Sequence, residues 1–572
     1  MSFGFGFALP AYPLRGGGGN NPFNQLGPTL DLSFAGVVTD QSDPNGYTLN
    51  TNFIIPQYQI AAQYVVWETG VGLVDKTFSQ IITFTRASTA TYFDSAGVLT
   101  SAATNAPRFD YNPSTLVAQG LLIEESRTNA VTQSTAMDVN RLAAVTGGSG
   151  SFIDGETLNF SGGGSAIYVS YSSSASILAL RNATGTLSGT VTGASSLATR
   201  TVTTVTESWN AAVGITRSPS AGTAPDGTVT AVKIEETAVN NEHINRQLVA
   251  GLVSGNVYTV SFFAKAAERT CGRIRILDAV TGTVGYLVNF DLATATTTSA
   301  VIGAGTVSNS FCTPVGNGWF RVGVSGSLNQ TSALFDVYTL TSIGGAATYL
   351  GTAGSGYLMW GAQFETTSAA GAAPFSTSFI PTTTTALTRS ADVATVNTLS
   401  PWFNATTGTL FTESQQLPGQ TALVFPRIAG IDDGTTNNAI LNLWRSDTSR
   451  LYGAVRVGAV DQADVGTTGI TQTNVNKLGL AYATNDFAAS VNGGTPSTDA
   501  LGTVPSGLTT LRIGKSSGTD FLNGYLRRVT YYPRRLTNAE LQQITLPTGA
   551  TITTQDYSFE SNFTGNTVAI GS

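Results

Sequence analysis

The sequence predicts an all-β protein made of several domains. A chain of 572 residues is longer than one hydrophobic core usually organises, so about three or four domains are expected. Glycine contributes 63 residues and charged side chains only 11%. Short β-branched or aromatic runs alternate with turn residues throughout, which is typical of strands. This composition excludes a helical enzyme and a disordered regulatory chain.

The charge balance argues against binding to nucleic acid. The formal net charge is −7, and the sequence contains no run of basic residues. Binding to a phosphate backbone needs clustered Lys and Arg side chains. We therefore expect no nucleic-acid partner.

Residues 1–26 predict an anchoring peptide joined to a flexible tether. Phe3, Phe5 and Phe7 alternate with glycine, which places the three rings on one side of an extended strand. A strand cannot bury such a face by itself, so we expect it to dock on another protein of the assembly; a disordered tail is the alternative. The Gly16–Gly19 run supplies the tether.

The same segment is expected to be neither a signal peptide nor a membrane span. It has no charged start, and its apolar part is short and interrupted by Pro10 and Pro13. Its glycine run also lacks the Lys-Ser/Thr of a phosphate-binding loop. No cofactor is therefore expected here.

Residues 27–130 predict a small β platform. Leu30–Phe34 alternates apolar and polar side chains, and Thr83–Phe93 is rich in β-branched and aromatic residues. Asp94–Gly97 supplies a polar turn, and Gly120–Ile123 is an apolar run that ends in charged residues. We expect these short strands to form one loop-rich unit.

The stretch Ile82–Ala130 carries the most specific motifs of the chain. It contains the strings FTRAS, TATYFD, APRFDY and GLLIEESRTN in this order. This order resembles a segment found in many structural proteins of tailed bacteriophages, of the tail-fibre or head-spike type. The resemblance implies a structural part of a virion that is assembled in the host cytoplasm.

The charged residues of this stretch are expected to pair with one another. No metal or nucleophile chemistry needs their spacing, so internal ion bridges are the preferred interpretation. The residues concerned are Arg86, Asp94, Arg108, Asp110, Glu124 and Arg127.

Residues 131–205 predict a β insertion rich in Ser, Gly and Thr. Weak strand signals such as Ala166–Val169 and Ile177–Leu180 recur in it. The segment contains no motif that points to chemistry.

Residues 206–396 predict a β-sandwich, because regularly spaced strand candidates are separated by turns. Arg273-Ile274-Arg275-Ile276 alternates, so that one face of this strand is dry and the other wet. The strand candidates are Thr228–Ile234, Val257–Phe263, Arg273–Leu277, Phe320–Val324 and Tyr357–Phe364.

The strings VYTVSFFAKA, GNGWFRVGV and LMWGAQFE of this segment are similar to the framework of jelly-roll carbohydrate-binding modules, in the version that recurs in phage fibres. The resemblance implies a module that binds glycan. The segment Ser378–Asp392 closes this unit in similar phage proteins and is expected to link it to the next domain.

Residues 397–546 predict a second sandwich. The strings SVNGG, TTLRIGKSSG and LNGYLRRVTYYPRRLTNAEL are similar to the concanavalin-like (laminin-G-like) jelly roll. Asn492-Gly493 is a strong hairpin-turn signal, and Thr537 with Glu540 predicts a capping box at the start of one helix. Residues 547–572 are expected to be an extended tail, either exchanged with a partner chain or loose.

Six tryptophans supply the candidate sugar contacts. Sugar binding needs an aromatic ring beside polar groups, because the C–H faces of a sugar pack on rings while its hydroxyls need hydrogen-bond partners. Trp319 and Trp360 lie within predicted framework strands and are expected in the core. Trp209, Trp402 and Trp444 are the candidates for stacking on a sugar.

Motifs for catalysis or metal binding are sparse. The single histidine, His243, excludes multi-histidine zinc sites and argues against a Ser-His-Asp triad. Asp432 and Asp433 could supply oxygen ligands to Ca²⁺, although a polar turn is the preferred interpretation. Cys271 and Cys312 are expected to be free thiols, with one disulfide as the alternative.

We therefore predict a non-enzymatic appendage of a virion, a tail fibre or spike, that recognises host-surface glycan. Several copies would multiply weak binding, and the resemblance implies a homotrimer that contacts other virion proteins through its N-terminus. Two alternatives stay open: an architectural head-spike, decoration or collar protein without a host ligand, and a glycan-degrading spike. The lack of a fixed repeat period argues against a parallel β-helix, the usual scaffold of phage depolymerases.

Overall fold

The computed structural model describes residues 28–34, 63–69, 71–209, 211–367, 375–420, 425–518 and 520–547. The predicted anchoring residues Phe3, Phe5 and Phe7, and the tail from residue 548 onward, lie outside these ranges. The described chain is built almost entirely of antiparallel strands, which confirms the predicted all-β class. It forms two β-sandwiches and one closed barrel.

The N-terminal segment contains β1 (Leu30–Ser33), β2 (Gln63–Glu68), β3 (Gly72–Lys76), α1 (Phe78–Ile81), β4 (Thr83–Thr85), β5 (Ala90–Phe93), β6 (Leu99–Ala102), β7 (Phe109–Tyr111), β8 (Ala118–Ile123) and β9 (Arg127–Asn129). The next segment contains β10 (Val139–Ser149), β11 (Thr157–Phe160), β12 (Ser165–Ser172), β13 (Ile177–Thr184), β14 (Gly189–Gly193) and β15 (Thr199–Glu207).

The middle segment contains β16 (Ala211–Val213), β17 (Ile215–Gly222), β18 (Ala231–Glu236), β19 (Asn240–Glu242), β20 (Ile244–Ala250), β21 (Val257–Ala266), β22 (Cys271–Asp278), β23 (Gly285–Asp291), β24 (Thr296–Ile302), β25 (Thr306–Pro314), β26 (Trp319–Ser327), β27 (Ser332–Leu340), β28 (Thr348–Leu350), β29 (Gly356–Thr367) and β30 (Leu387–Arg389).

The C-terminal segment contains β31 (Val393–Val396), β32 (Thr407–Gln416), β33 (Arg427–Asp432), β34 (Ala439–Arg445), a 3-10 turn (Ser446–Thr448), β35 (Arg450–Val457), β36 (Val460–Thr467), β37 (Asn476–Ala483), β38 (Asp486–Val491), β39 (Ser497–Asp499), β40 (Thr510–Ile513), β41 (Gly524–Tyr532) and α2 (Asn538–Thr545).

One sandwich, the composite sandwich, is made of strands from both ends of the described chain. Its first sheet has the order β3-β2-β1-β41-β32-β37-β38-β39, with β8 pairing with β41 and β7 with β8. Its second sheet has the order β36-β35-β34-β33-β40-β31-β4. Strands from residues 27–130 and from residues 397–546, which the sequence suggests as separate units, therefore share the same sheets.

Apolar side chains of the N-terminal strands fill the core of the composite sandwich. Leu30 and Leu32 on β1 are fully buried, and the two polar residues of this strand are buried too. On β8, Leu121 and Ile123 are fully buried as well. All four belong to one continuous core with residues of the C-terminal strands, so each end of the chain covers apolar surface of the other.

The other sandwich, the inserted sandwich, has the sheets β16-β20-β27-β22-β23-β24 and β17-β18-β29-β21-β26-β25, and β9 and β30 extend the second sheet. Trp319 and Trp360 are each 2% exposed in its core, as predicted. β9 pairs with β30, and the backbone N–H of Asp392 donates to the carbonyl of Glu124 at 3.0 Å. Residues 125–391 thus leave the composite sandwich and return to it at one point.

The barrel closes in the order β10-β13-β12-β11-β14-β15 around a small core that includes Leu158, Leu178 and Leu180. β10 pairs with β15, and the N–H of Trp209 donates to the carbonyl of Val139 at 3.0 Å. The barrel is therefore inserted into the inserted sandwich. It occupies most of the segment predicted as a Ser/Gly/Thr-rich β insertion.

Two local signals near the C-terminal end of the described chain are confirmed. Thr537 and Glu540 form the predicted capping box at the start of α2. Asn492 and Gly493 turn the chain after β38 with φ angles of 49° and 75°, the left-handed region that this dipeptide favours. Neither α-helix of the described residues has the length and apolar character that crossing a membrane requires.

Candidate functional site

The three tryptophans predicted to stack on a sugar are core residues. Trp209 and Trp444 are fully buried, and Trp402 is 1% exposed. Trp209 packs on Phe335, with ring centroids 5.6 Å apart, and Trp402 packs on Tyr531 at 5.3 Å. No ring presents a face to a ligand, so this prediction is corrected: the sandwich cores need these large apolar surfaces for their own packing.

We define the outer face of the inserted sandwich as the side of its six-stranded sheet that is turned away from the second sheet. A row of charged side chains crosses this outer face. Arg246 on β20, Asp336 on β27 and Arg275 on β22 lie opposite one another. Asp336 is fully buried and accepts from Nε and Nη2 of Arg246 at 2.5 and 2.9 Å and from Nε and Nη2 of Arg275 at 2.9 and 2.7 Å. The two arginine side chains remain 23% and 17% exposed, so the carboxylate fixes two guanidiniums that solvent can still reach.

Arg273 lies beside this row and is held by neutral acceptors. Its Nε donates to Asn289 Oδ1 at 2.7 Å, and its Nη2 donates to the carbonyl of Gly345 at 3.2 Å. The guanidinium carbons of Arg273 and Arg275 lie 5.6 and 4.9 Å from the ring centroid of Tyr338, which is cation–π distance. Burial lowers the pKa of Arg273, but guanidinium groups stay protonated in proteins, so its positive charge persists.

An apolar row borders the charged row. Leu248, Leu334 and Leu277 occupy the next positions on the outer face of β20, β27 and β22 and lie opposite one another. Leu248 is 49% exposed, and the other two side chains are half-buried. Hydrogen-bond donors beside an apolar strip are the arrangement that binds a ligand with both hydroxyl groups and C–H surface.

The sequence revealed part of this face. The alternation at Arg273-Ile274-Arg275-Ile276 predicts one wet side, and the structure confirms it, because Ile274 and Ile276 are fully buried whereas the arginines are half-buried. Asp336 and Tyr338 were missed. Only the strand register places Asp336 between Arg246 and Arg275, and Tyr338 opposite Arg273.

A second set of charged side chains is buried where the two sandwiches meet. This buried ionic cluster consists of Arg86, Arg108, Glu124, Arg389 and Asp392, whose side chains are at most 1% exposed. Asp392 accepts from Arg86 Nη1 at 3.1 Å and from Arg108 Nη2. Glu124 accepts from Arg108 Nη1 at 2.8 Å, and Arg389 Nη2 lies 3.5 Å from the same carboxylate. The cluster therefore links the chain around Glu124, where it leaves the composite sandwich, to the chain around Asp392, where it returns.

Electrostatics stabilises the charged form of the glutamate in this cluster. Burial alone would raise the pKa of Glu124, but the guanidiniums of Arg389 and Arg108 and two hydrogen bonds from Ser378 outweigh it and lower the pKa to about 2. Removing one member of such a buried network leaves its partners unpaired in a medium of low dielectric constant. The cluster therefore stabilises the junction between the two sandwiches, and its burial leaves no surface for a ligand.

The prediction of ion bridges within this stretch is confirmed for three residues and wrong for the other three. Arg108 pairs with Glu124 at 2.8 Å, and Arg127 pairs with Glu125 at 2.6 Å. Arg86 pairs with Asp392, which lies outside the stretch. Asp94 instead accepts two backbone N–H groups of its own turn. Asp110 accepts the N–H of Phe93 and the hydroxyl of Tyr525.

The carboxylates of Asp432 and Asp433, the two weak Ca²⁺ candidates, accept hydrogen bonds from the protein itself. Asp432 accepts from Arg512 Nε at 2.7 Å and from a turn amide. Asp433 accepts from Thr435 and from Asn438 Nδ2 at 2.8 Å. This is the polar turn preferred from the sequence. In the part of the chain that the structure describes, no group of three or more His, Cys, Asp or Glu side chains is placed to hold a metal.

The histidine and the cysteines are structural. His243 is fully buried, with Nδ1 2.6 Å from the carbonyl of Gly214 and Nε2 3.2 Å from that of Tyr349. Cys271 and Cys312 are free, as predicted. Burial raises the pKa of both thiols, that of Cys312 to about 12, which keeps them protonated and unreactive at neutral pH.

No protein-family model matches the sequence, and no curated protein is similar to it. Among solved structures, the CBM40 of Ruminococcus gnavus IT-sialidase bound to α2,3 sialyllactose is 13% identical, with 25% of this chain and 84% of that chain covered and a TM-score of 0.22. Mouse laminin α1 chain domains LG4-5 are 12% identical, covering 53% and 91%, with a TM-score of 0.18. Trypanosoma rangeli sialidase is 11% identical, covering 84% and 96%, with a TM-score of 0.22. Similarities at these TM-scores define neither the fold nor the function of this chain.

Proposed function

We propose that the protein is a structural appendage of a tailed-bacteriophage particle, a tail fibre or spike, and that it recognises host-surface glycan without cleaving it. The virion assignment is supported by the motifs between Ile82 and Ala130, which resemble such appendages. The recognition assignment is supported by one observation: Asp336 holds two partly exposed guanidiniums beside an apolar row on the outer face of the inserted sandwich.

This face matches the chemistry of a sugar. A guanidinium presents a planar set of donors that suits pairs of hydroxyls or a carboxylate, and the leucine row can cover the C–H side of the ring. Such a contact is weak by itself, because a flat face buries little of the ligand. A homotrimer, the state that the resemblance implies, would present several copies at once and multiply weak binding.

Replacing Arg275 by glutamine is expected to weaken binding to purified host capsular polysaccharide or lipopolysaccharide by about tenfold or more, since a charge-assisted hydrogen bond contributes roughly 1.5–3 kcal/mol. Arg246 still pairs with Asp336 in this variant, so the fold is expected to persist. Biolayer interferometry with immobilised glycan measures the change.

The matched control is Arg450→Gln in the composite sandwich. Arg450 also pairs with an aspartate, at 2.6 Å from Asp464, and its guanidinium carbon lies 4.4 Å from the ring centroid of Tyr452. Absence of glycan binding by the wild type would argue for the architectural alternative, and equal binding by wild type and by Arg275→Gln would contradict the outer face as the binding site. Release of reducing sugar from either glycan, abolished by one Asp or Glu substitution, would establish the glycan-degrading alternative.

Deleting residues 1–20 is expected to leave both sandwiches folded but to prevent incorporation into particles, because the Phe3, Phe5 and Phe7 face is proposed to be the anchor. Electron microscopy of intact particles labelled with an antibody against the barrel locates the full-length chain. The truncated chain is tested by copurification with particles. Stoichiometric copurification of the truncated chain would contradict the anchor.

A further inference from the structure

We propose that one end of the barrel is a second binding site, which takes a neutral sugar ring. Three half-buried aromatic side chains and one arginine meet there: Phe152, Tyr168, Tyr171 and Arg200. The rings of Phe152 and Tyr168 have centroids 5.4 Å apart. The guanidinium carbon of Arg200 lies 5.8 Å from the centroid of Phe152 and 5.5 Å from that of Tyr171. The mouths of β-barrels are among the places where proteins commonly bind small ligands.

The arginine of this site is held by backbone carbonyls. Nη1 of Arg200 donates to the carbonyls of Ser149 and Thr199 at 3.1 and 2.6 Å, and Nη2 donates to that of Gly150 at 2.9 Å. Neutral acceptors fix the planar group without neutralising it. Arg200 therefore stacks beside the rings in a defined orientation and keeps its charge for hydroxyl groups of a ligand.

The two tyrosines contribute rings together with polar ends. In the part of the chain that the structure describes, neither the hydroxyl of Tyr168 nor that of Tyr171 hydrogen-bonds to the protein, and both residues remain partly exposed. The hydroxyls of the buried Tyr482 and Tyr531, by contrast, lie 2.8 Å apart and hydrogen-bond to each other. An apolar ring with an available hydroxyl suits a sugar, because the ring packs on the C–H face of the sugar and the hydroxyl hydrogen-bonds to a sugar hydroxyl.

Glu156 holds the rim of the site in place. Its carboxylate accepts from the N–H of Ile153 at 2.7 Å, from the N–H groups of Ser195 and Ser196 at 3.0 Å, and from Ser196 Oγ at 2.7 Å. These bonds tie the loop that carries Phe152 to the loop that precedes Arg200. A rim ordered before binding reduces the conformational entropy that binding would otherwise cost.

The charges around the barrel site indicate whether it takes a neutral or an acidic sugar. Asp154, on the same loop as Phe152, is exposed, and the carboxylates of Asp154 and Glu156 outnumber the single guanidinium of Arg200, so the site has no positive excess that would select an acidic ring. Exposed apolar side chains stand on both rim loops, Ile153 at 54% and Leu197 at 73%. A neutral pyranose, with hydroxyls at its edge and C–H groups on its faces, fits both observations.

Saturation-transfer NMR on the full-length protein tests the site with maltohexaose, cellohexaose and mannohexaose, each at up to about 10 mM, the range of weak single-site binding. At least one of these probes is expected to bind. Tyr171→Ala and Arg200→Gln are each expected to reduce its affinity about tenfold or more, because each removes a stacking or charged contact. The double variant Tyr168→Phe with Tyr171→Phe keeps both rings, removes only the hydroxyls, and is expected to reduce affinity several-fold.

The matched control is Phe425→Ala, which removes a half-buried ring from a similar pair in the composite sandwich, where the guanidinium carbon of Arg445 lies 5.9 Å from the centroid of Phe425. This control and Arg275→Gln on the outer face are both expected to leave probe binding unchanged, which separates the barrel site from the outer face. Three results would overturn the proposal: no binding of any neutral probe, an unchanged affinity in the conservatively altered double variant, or tighter binding of hexagalacturonate than of every neutral probe.

Discussion

Replacing Asp392 by alanine is expected to lower the free energy of unfolding by about 3–5 kcal/mol, the usual cost of breaking a buried ion network by removing one partner. The carboxylate of Asp392 accepts hydrogen bonds from Arg86 and Arg108, and its backbone N–H donates to the carbonyl of Glu124. Without the Asp392 carboxylate, Arg86 loses its ion-pair partner, and Arg108 and Arg389 keep only Glu124. Hydrogen-exchange mass spectrometry of peptides containing β8 and β31 measures the loss, since these strands flank the cluster.

The control for this variant is Asp447→Ala, which removes an exposed ion pair with Arg445, where the side chains are 31% and 41% exposed. Solvent screens exposed pairs of this kind, so little change in stability is expected. Acid provides a second readout. The folded-state pKa of Glu124 lies below its ordinary value of 4.5, at about 2, so its contribution is complete above pH 4.5 and decreases as the pH falls toward 2. Similar hydrogen-exchange protection of β8 and β31 in Asp392→Ala and in Asp447→Ala would contradict this stabilising role of the buried ionic cluster.

Residues 397–546 expressed alone are expected to remain unfolded, although they contain most strands of a sandwich. The fragment lacks Leu30, Leu32, Leu121 and Ile123, which are fully buried in the core of the composite sandwich. Burial of each such side chain stabilises by roughly 1.5–3 kcal/mol, so the missing four represent on the order of 10 kcal/mol, comparable with the whole stability of a domain.

Circular dichroism during urea titration measures the outcome. The matched control is a chain in which residues 1–124 are joined by a short Gly-Ser linker to residues 392–572, because the backbone of Glu124 and Asp392 is already in hydrogen-bond contact. This chain contains every described strand of the composite sandwich and is expected to unfold cooperatively. A cooperative transition in the fragment 397–546 would show that the N-terminal strands are dispensable.

Local structure followed from the sequence, whereas long-range pairing did not. The alternation Leu30-Asp31-Leu32-Ser33 predicts a strand with one buried face, and β1 is a strand, but all four of its residues are buried. Nothing in that pattern indicates that β1 lies against β41, about five hundred residues later in the chain. Periodicity reports which side of a strand is buried, but partner and register depend on side chains that meet only in the folded state.

The charged residues illustrate the same limit. The spacing within FTRAS and GLLIEESRTN indicates internal pairing, yet two members of the buried ionic cluster, Arg389 and Asp392, come from the later segment that closes the inserted sandwich. The short similarity between Thr85-Arg86-Ala87-Ser88 and Thr388-Arg389-Ser390-Ala391 was the available signal. Both arginines enter one cluster, because the two segments meet where the insertion begins and ends.

The aromatic residues show why a site is harder to predict than a fold. Composition identifies rings but not their exposure, so the three tryptophans assigned to sugar were core residues. The half-buried rings at the barrel end, Phe152, Tyr168 and Tyr171, lie in a segment whose strand signals are weak. Their grouping depends on the closure of the barrel, which brings β12, β15 and the loop after β10 together.

The nesting of the barrel within one sandwich, and of that sandwich within the other, has a genetic consequence. Each insertion leaves and rejoins its host at neighbouring backbone positions, Glu124 with Asp392 and Val139 with Trp209. A foreign sequence of any length could replace either insertion if its own two ends lie close together, as domain termini usually do. Recombination between related genomes would then exchange the inserted domains while the strand pairing of the composite sandwich stays in place. We expect sequence divergence among relatives to be concentrated first in residues 139–207, then in residues 125–391, and least in the strands that enclose them.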